Sequence, residues 1–558
     1  MSNEPFKLPL ARNIFYNKYA LHKSETWQQR AYAIVDSICG TAGGTIDPIL
    51  GSEDRKLLVK YISEMKFMPG GRYIYYSGRE AKFYNNCYLL RAEEDTREEW
   101  SDLTRRAMSC LMTGGGIGID YSVLRPSGSI LRRTGGIASG PIPLMHTINE
   151  VGRNVMQGGS RRSAIYASLN WQHQDSQEFL VAKNWGDKPI GDSGLTLRDA
   201  KMKDFNFPAP LDMTNISLNY DDAWLNLGEK ARAEDPVFLK NCLQAMSTGE
   251  PGFSFNFGDK QNETLRNACT EVTSEDDSDV CNLGSINIGT IESLDEFQSV
   301  VGLASKFLVC GTIRAELPYQ KVYKVREKNR RLGLGLMGIH EWLLKRGYKY
   351  EVTEELHKWL KVYASESESA ANEHCDRFYL SRPAAYRAIA PTGSIGILAS
   401  TTTGIEPLFA VAYKRRYLTE GTRWKYEYVV DAVAERMIQE YGVKPEKIDT
   451  AYSLSRDYER RVKFQADIQD YVDMSISSTI NLPSWGSVGN SEESVGAFAE
   501  CLSRYAPRLR GFTCYPDGSR GGQPLTEIEY KDAKEHKGVV YDEVDICSIT
   551  GKGGTCGV

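Results

Sequence analysis

Apolar positions along the chain follow two periods. From residue 13 to about residue 66 they recur at helical spacing, as in "SETWQQRAYAIVDSI", which predicts helices, the first clear one opening at its Ser-x-x-Trp. A turn-rich patch, "MPGGRYIYYSG", follows, and "NNCYLL" reads as a short buried strand with Cys87 near its start. From Thr113 glycine is dense, in "TGGGIGIDYSVLRPSGSILRRTGGIASGPIPL", which suggests close backbone packing and loops that approach a ligand. "PLMHTINEVGRNVMQ" is predicted as a helix, "GGSRRSA" breaks it, and "IYASLNW" is predicted as a strand. Farther on, short apolar strands alternate with longer helical segments such as "ESLDEFQSVVGLASKFLVCGTIRAEL", the pattern of an α/β protein. No internal repeat occurs. Beyond about Glu529 the chain turns polar, and "ITGKGGTCGV" is expected to be a mobile tail.

At 558 residues there is room for one very large domain or several modest ones. Hydrophobic content of 41% and charged content of 25% fit a globular protein with a sizeable core. A net charge of -5 gives no reason to expect nucleic acid or membrane partners. "MSNEPFKLPLARN" lacks the apolar run of a signal peptide, so a cytoplasmic location is expected. The 12 cysteines are too sparse for a disulfide scaffold, and neither they nor the 7 histidines show zinc spacing, so no metal-ligand set is expected. Cys39, Cys110, Cys242, Cys310, Cys375 and Cys501 sit in apolar or helical surroundings and belong in the core.

Among candidate motifs, "GLGLMG" satisfies G-x-G-x-x-G at Gly333, Gly335 and Gly338. The residues before it, "KVREKNRR", are charged and helical rather than a core strand, so close helix packing is the expected role of these glycines. "APTGSIGILASTTTG" offers Thr392, Gly393 and Ser394 just before a helix start, a turn suited to phosphate without a lysine or to ordinary capping. No Walker A pattern exists. Arg132 with Arg133, and Arg161 with Arg162, stand beside glycines, where they could grip an anion or form solvated basic loops.

Cys269 lies in N-A-C-T-E, between Asn267 and Glu271. A nucleophilic thiol wants a cationic neighbour, and a carboxylate disfavours the thiolate. The arrangement instead suits hydrogen-atom chemistry, in which a neutral thiol becomes a thiyl radical and the carboxylate handles a substrate hydroxyl. Cys87 and Cys281 could then supply two electrons by forming a disulfide, which tail thiols Cys547 and Cys556 could reduce by exchange.

These segments, with "GGGIGIDYSVLRPSGS", "QGGSRRSA", "CNLGSINI", "KNRRLGLGLMGIHEWL", "PTGSIG", "GIEPLFA" and "YPDGSRGGQPL" in series, resemble the catalytic subunit of the ribonucleotide reductases over nearly the whole chain. The resemblance implies that Cys269 abstracts the 3′ hydrogen of the ribose, that Glu271 deprotonates the 3′ hydroxyl, and that Asn267 binds the sugar hydroxyls. Cys87 and Cys281 would be the reducing pair. Asn86 would bind substrate, Thr392, Gly393, Ser394 and Ile395 would cradle its phosphates, and Gln157 and Arg161 would meet its base. Residues 124–136 resemble a specificity loop for a deoxynucleotide or ATP effector, with Asp120, Arg125, Arg132 and Arg133 as candidate contacts. The implied fold is a ten-stranded α/β barrel over residues 76–528 with Cys269 on a central finger loop. A small helical region, 1–75, would precede it, and a flexible tail, 529–558, would carry Cys547 and Cys556.

The radical source is read from the same resemblance. "TCGV" lacks the glycyl-radical motif, and "RGFTCYPDGSR" has Cys514 before Tyr515 where a metal-subunit enzyme has two tyrosines. "DGSRGGQPL" and the spacing of Cys269 and Cys281 resemble the adenosylcobalamin-dependent class II enzymes. Two departures stand out: Ala268 and Thr270 replace the proline and glycine of N-P-C-G-E, and "GIGIDYSVLRPSG" lacks the insertion of monomeric members, which implies a homodimer. No ATP-binding domain is seen before the catalytic region, so overall activity control is not expected. A thioredoxin or glutaredoxin-type reductant is the implied partner, and the substrate would be a tri- or diphosphate. The rivals are a class I catalytic subunit with a metal-containing partner and a non-enzymatic nucleotide-binding thiol switch.

Overall fold

The computed structural model describes residues 5–41, 49–155, 163–204, 207–418, 424–519, 525–536 and 540–542. Thr26, three residues before Gln29, opens the first long helix. Its hydroxyl accepts from the Gln29 N–H while the Gln29 side chain accepts from the Thr26 N–H, a capping box that starts Trp27–Cys39. Together with Pro9–Ile14, Phe15–Tyr19 and Ser52–Ser63 it makes a helical N-terminal layer. The patch expected to be turns is instead a strand, Phe67–Pro69, joined at Gly70 to a helix, Gly71–Tyr76. The Pro-Gly-Gly run ends one element and starts another without reversing the chain.

The strands, in chain order, begin with β1 (Phe67–Pro69), β2 (Cys87–Arg91), β3 (Gly116–Asp120), β4 (Ile165–Asn170), β5 (Thr214–Tyr220) and β6 (Gly252–Phe255). A short hairpin, β7 (Leu265–Arg266) and β8 (Thr273–Ser274), precedes β9 (Asp279–Asn287) and β10 (Leu332–Met337). Then come β11 (Ala412–Leu418), β12 (Trp424–Val430), β13 (Thr479–Leu482), β14 (Gly511–Pro516), β15 (Leu525–Glu527) and β16 (Val540–Asp542).

Strands β2 to β6 run parallel in sequence order. β6 pairs antiparallel with β14, which pairs parallel with β13. At the other side β2 pairs antiparallel with β9, which carries β1 and β10 as well, so 10 strands share one sheet. Bridges Leu334–Arg387 and Ile389–Ile476 carry β10 across to the approach of β13 and close the sheet into a barrel. The helix Leu294–Arg314, capped by Ser293, packs on β9, β10 and the helix Glu354–Arg377. Its buried positions reflect the apolar spacing seen in the sequence.

The glycines of "GLGLMG" are corrected by this topology. Gly333 and Gly335 lie inside β10, a fully buried strand, and the atoms nearest them belong to β9 and to residues 388 and 389. A side chain on Gly333 would meet Leu283 and the Cys281 sulfur, at 2.3 and 3.1 Å, and one on Gly335 would meet the Ala388 carbonyl at 2.7 Å. Only Gly338 leads into a helix, Ile339–Lys345. The charged helix Gln320–Asn329 does precede the run, but Arg330 takes a left-handed turn (φ 40°) that ends it and lets the strand begin.

A second, four-stranded sheet runs β15, β11, β12, β16. The tail boundary expected at residue 529 falls inside this unit, which holds the helix Tyr530–Glu535 and the strand β16. Cys547 and Cys556 lie outside the described residues. No helix among the described residues is long and apolar enough to cross a membrane.

Candidate active site

The β7–β8 hairpin enters the barrel and carries residues 267–272 at its tip. Close approach is what admits it. A side chain on Gly118 of β3 would place its first carbon 1.7 Å from the Arg266 carbonyl oxygen, and one on Gly116 would lie 3.0 Å from the Ala268 methyl. The tip is held elsewhere too: the Ser475 N–H donates to the Glu271 carbonyl at 2.8 Å, and Asn215 Nδ2 of β5 donates to the Ala268 carbonyl at 3.2 Å. Thr270 turns the chain with φ 71°, its N–H donating to the Asn267 carbonyl at 3.0 Å.

Below the tip a buried ionic network anchors the hairpin. Arg266 donates to Asn256 Oδ1 at 2.6 Å and to the carbonyls of Glu263 and Arg510. Glu263 pairs with Arg510 at 2.9 Å and Arg331 at 3.5 Å, and accepts from the Thr273 hydroxyl. Burial works to raise its pKa, but Arg510 and Arg331 hold it down at about 2. Arg331, from "KNRR", also binds Asp279 of β9 at 2.7 Å, tying the finger to the strand of Cys281.

Asn267 Nδ2 donates to Cys87 Sγ at 2.9 Å, and its Oδ1 accepts from the Val272 N–H at 3.0 Å, so both ends of the amide are fixed. Cys87 and Cys281 are facing partners in the antiparallel β2–β9 register. Facing residues of such pairs have Cα atoms about 4.5–5.5 Å apart, inside the roughly 4.4–6.8 Å span a disulfide needs. Both thiols are buried. Burial and then the Glu271 carboxylate push Cys87 well up, and burial followed by Asp279 does the same for Cys281. Each is therefore a neutral thiol at pH 7. Glu271 is 1% exposed, and its Oε2 has no hydrogen-bond partner among the described residues. Burial raises its pKa to about 7, against hydrogen bonds from its own backbone and Asn267.

Cys269 stands near enough to Cys87 to add to the upward push on that thiol. It is exposed, on the wall of a cavity of about 560 Å³ that Tyr166, Asn215, Glu406, Asn481 and Tyr515 also line. The cavity's two carboxylates are neutralised, Glu250 by Lys183 and Glu406 by Arg461.

The remaining sequence-derived residues divide. Asn86 precedes β2, with its Oδ1 buried and, among the described residues, without a partner. Thr392 sits at φ 52° before the short helix Gly393–Ala399, and its hydroxyl accepts from the Gly404 N–H at 2.9 Å. Gly393 is exposed with open space around it, Ser394 is half-buried and Ile395 is buried. The turn itself contains no lysine, but Lys18 Nζ reaches Ser394 Oγ at 3.4 Å. Its 376-residue separation in the chain left no local signal. Asp120 is buried and occupied with Ser122 and Thr264, and Arg125 pairs with Asp95, while Arg132 and Arg133 are exposed on the loop. Gln157 and Arg161 lie outside the described residues. Among those described, no cluster of side chains suits a metal ion.

Comparison with known proteins follows the same outline. Residues 85–217, 242–366 and 381–505 match the family described as ribonucleotide reductase, barrel domain. The chain is 26% identical over 533 residues to the vitamin B12-dependent ribonucleoside-diphosphate reductase of Mycobacterium tuberculosis (strain CDC 1551 / Oshkosh), covering 84% of this chain and 73% of that protein. It is 26% identical over 523 residues to the protein of that name from Thermoplasma acidophilum, covering 83% and 65%. The ribonucleoside-diphosphate reductase subunit alpha of Chlamydia muridarum is also 26% identical, over 337 residues that cover 52% of this chain and 32% of that one. With more than half of its length matched to that barrel, and the barrel closed around the Cys269 finger, this chain belongs to the ribonucleotide reductase family.

Proposed function

We propose that this chain is an adenosylcobalamin-dependent ribonucleotide reductase that converts ribonucleoside tri- or diphosphates to 2′-deoxyribonucleotides. The observation that carries the reading is what gathers at the finger tip. Asn267 and Glu271 lie against the Cys87–Cys281 pair, and Cys269, close to Cys87, opens onto the cavity. The greater coverage of the B12-dependent relatives supports the choice of cofactor.

The cavity's lining suits the part of such a group that would reach Cys269. Its walls are neutral and rich in amide and hydroxyl side chains, which suits an uncharged ligand with many hydrogen-bonding groups, and Asn215, Asn481 and Tyr515 would face it. When bound, adenosylcobalamin supplies a carbon-centred radical able to take the sulfur-bound hydrogen atom of Cys269. The chain's own residues do the rest. The Cys269 thiyl removes the 3′ hydrogen of the ribose and later returns it. Glu271, poised near pH 7, takes the 3′ hydroxyl proton, and Asn267 orients the hydroxyls. The 2′ hydroxyl leaves as water with a proton from the thiol pair. Cys87 and Cys281 deliver two electrons and become a disulfide, so one dithiol is consumed per nucleotide reduced.

The turn at Thr392, Gly393 and Ser394 serves the phosphates, with Lys18 adding charge beside it. Cys547 and Cys556 pass electrons inward from a thioredoxin or glutaredoxin-type protein. The effector meets the 124–136 loop at Arg132 and Arg133. That loop, Ile137 just past it and the helix Arg97–Met112 expose Met112 (63%), Ile130 (77%) and Ile137 (69%), apolar side chains suited to a second copy of the chain.

Purified protein with adenosylcobalamin, a nucleotide and dithiothreitol is expected to form deoxynucleotide, and Cys269→Ser none. Without dithiothreitol, one turnover should leave a Cys87–Cys281 disulfide detectable by peptide mass analysis. Product formation only after a metal-containing partner protein is added would reject the cofactor.

A further inference from the structure

The finger is gripped unevenly. Its ascending half lies against Gly116 and Gly118, and its descending half is tied through the Glu271 carbonyl and the Val272 N–H. Between these holds, the peptide that carries Cys269 projects toward the cavity. Its carbonyl, that of Ala268, accepts from Asn215 Nδ2 at 3.2 Å. In β5, whose burial runs buried, exposed, then five buried positions, Asn215 is the exposed one, and it lines the same cavity as Cys269. The neighbouring Thr214 and Ile216 are in the core, so Asn215 contributes nothing to core packing.

We propose that Asn215 is a positioning residue for Cys269. By holding the Ala268–Cys269 peptide from the cavity wall, it sets the direction of the S–H bond and couples that direction to whatever occupies the cavity. This rests on the reading of Cys269 as the hydrogen-abstracting thiol. A carbonyl accepts only from a donor, and the asparagine amide supplies one where an aspartate carboxylate supplies none. Hydrogen transfer requires the two heavy atoms to be aligned, and a displacement of about 1 Å in such a group costs on the order of 100-fold in rate.

Two arms test it. In turnover assays Asn215→Ala and Asn215→Asp are each expected to lower kcat about 10- to 100-fold, with nucleotide KM within about 2-fold of wild type. Asn215→Gln, which keeps the donor, should recover part of the loss. In the reduced, cofactor-free protein, iodoacetamide labelling of Cys269, followed by peptide mass analysis, should change rate at least about 3-fold in Asn215→Ala, a shift comparable to loss of one ordinary hydrogen bond. Buried Cys87 and Cys281 serve as internal controls. Unchanged kcat together with an unchanged labelling rate would overturn the proposal. So would equal losses accompanied by a fall in melting temperature of more than about 5 °C, the mark of a structural role. If wild type makes no deoxynucleotide, the reading of the reaction fails, and the labelling arm alone still decides the role of Asn215.

Discussion

Glu271 is held in a state that costs the protein stability. Burial lifts its pKa from 4.5 to about 7, so between these values the folded chain binds a proton that the unfolded chain has lost. Its contribution is complete below about pH 4.5 and disappears as pH rises through about 7, where the buried carboxylate costs folding about 3 kcal/mol. Glu271→Gln is therefore expected to be inactive yet more stable than wild type at pH 8, by on the order of 2 to 3 kcal/mol, and of similar stability near pH 5. Urea denaturation at the two pH values checks this. A difference that does not change with pH would contradict the assignment. At this scale much was legible in the sequence. Asn267, Cys269 and Glu271 alternate within one short segment, and the structure sets that segment at the tip of the β7–β8 hairpin. Asn215 and Lys18 were not legible, because each acts on a residue far along the chain.

Elements explain the glycines. In "GGGIGID" the sequence suggested close backbone approach, and the structure names the visitor: the Arg266 carbonyl passes where a Gly118 side chain would be. Gly118→Ala is expected to displace the finger, costing about 1–3 kcal/mol by overpacking and reducing turnover at least about 100-fold. Denaturation midpoints and single-turnover rates measure the two effects, and a variant with native activity would show that the finger yields without consequence. The same reasoning accounts for the misread "GLGLMG". Charged residues before it pointed to a helix and were one. The strand itself was hidden because burial on both faces, which removes alternation, and glycines, which weaken strand propensity, erase the usual signal. "MPGG" failed in a related way, since a Pro-Gly-Gly run reports a change of direction without saying which elements it joins.

The whole molecule has a surface that its barrel does not explain. Met112 ends the helix Arg97–Met112, Ile130 lies on the 124–136 loop and Ile137 just past it, and all three are exposed. Light scattering at micromolar concentration is expected to find a dimer, and Met112→Glu combined with Ile130→Glu a monomer. A wild-type monomer, or a variant that remains paired, would remove the homodimer from the reading. Barrel closure itself could not be read from the sequence, since single bridges at Arg387 and Ile389 complete it within a segment that has no strand pattern of its own.

The β2–β9 seam has a mechanical consequence. It is an antiparallel join at one edge of the parallel run β2 to β6, and Cys87 and Cys281 face each other across it. Oxidising the pair would close a covalent loop of nearly two hundred residues. By loop entropy alone such a closure stabilises the folded chain by as much as about 5 kcal/mol. Each catalytic cycle would thus fasten two parts of the barrel together and each reduction release them, making the enzyme's redox state readable as its resistance to heat.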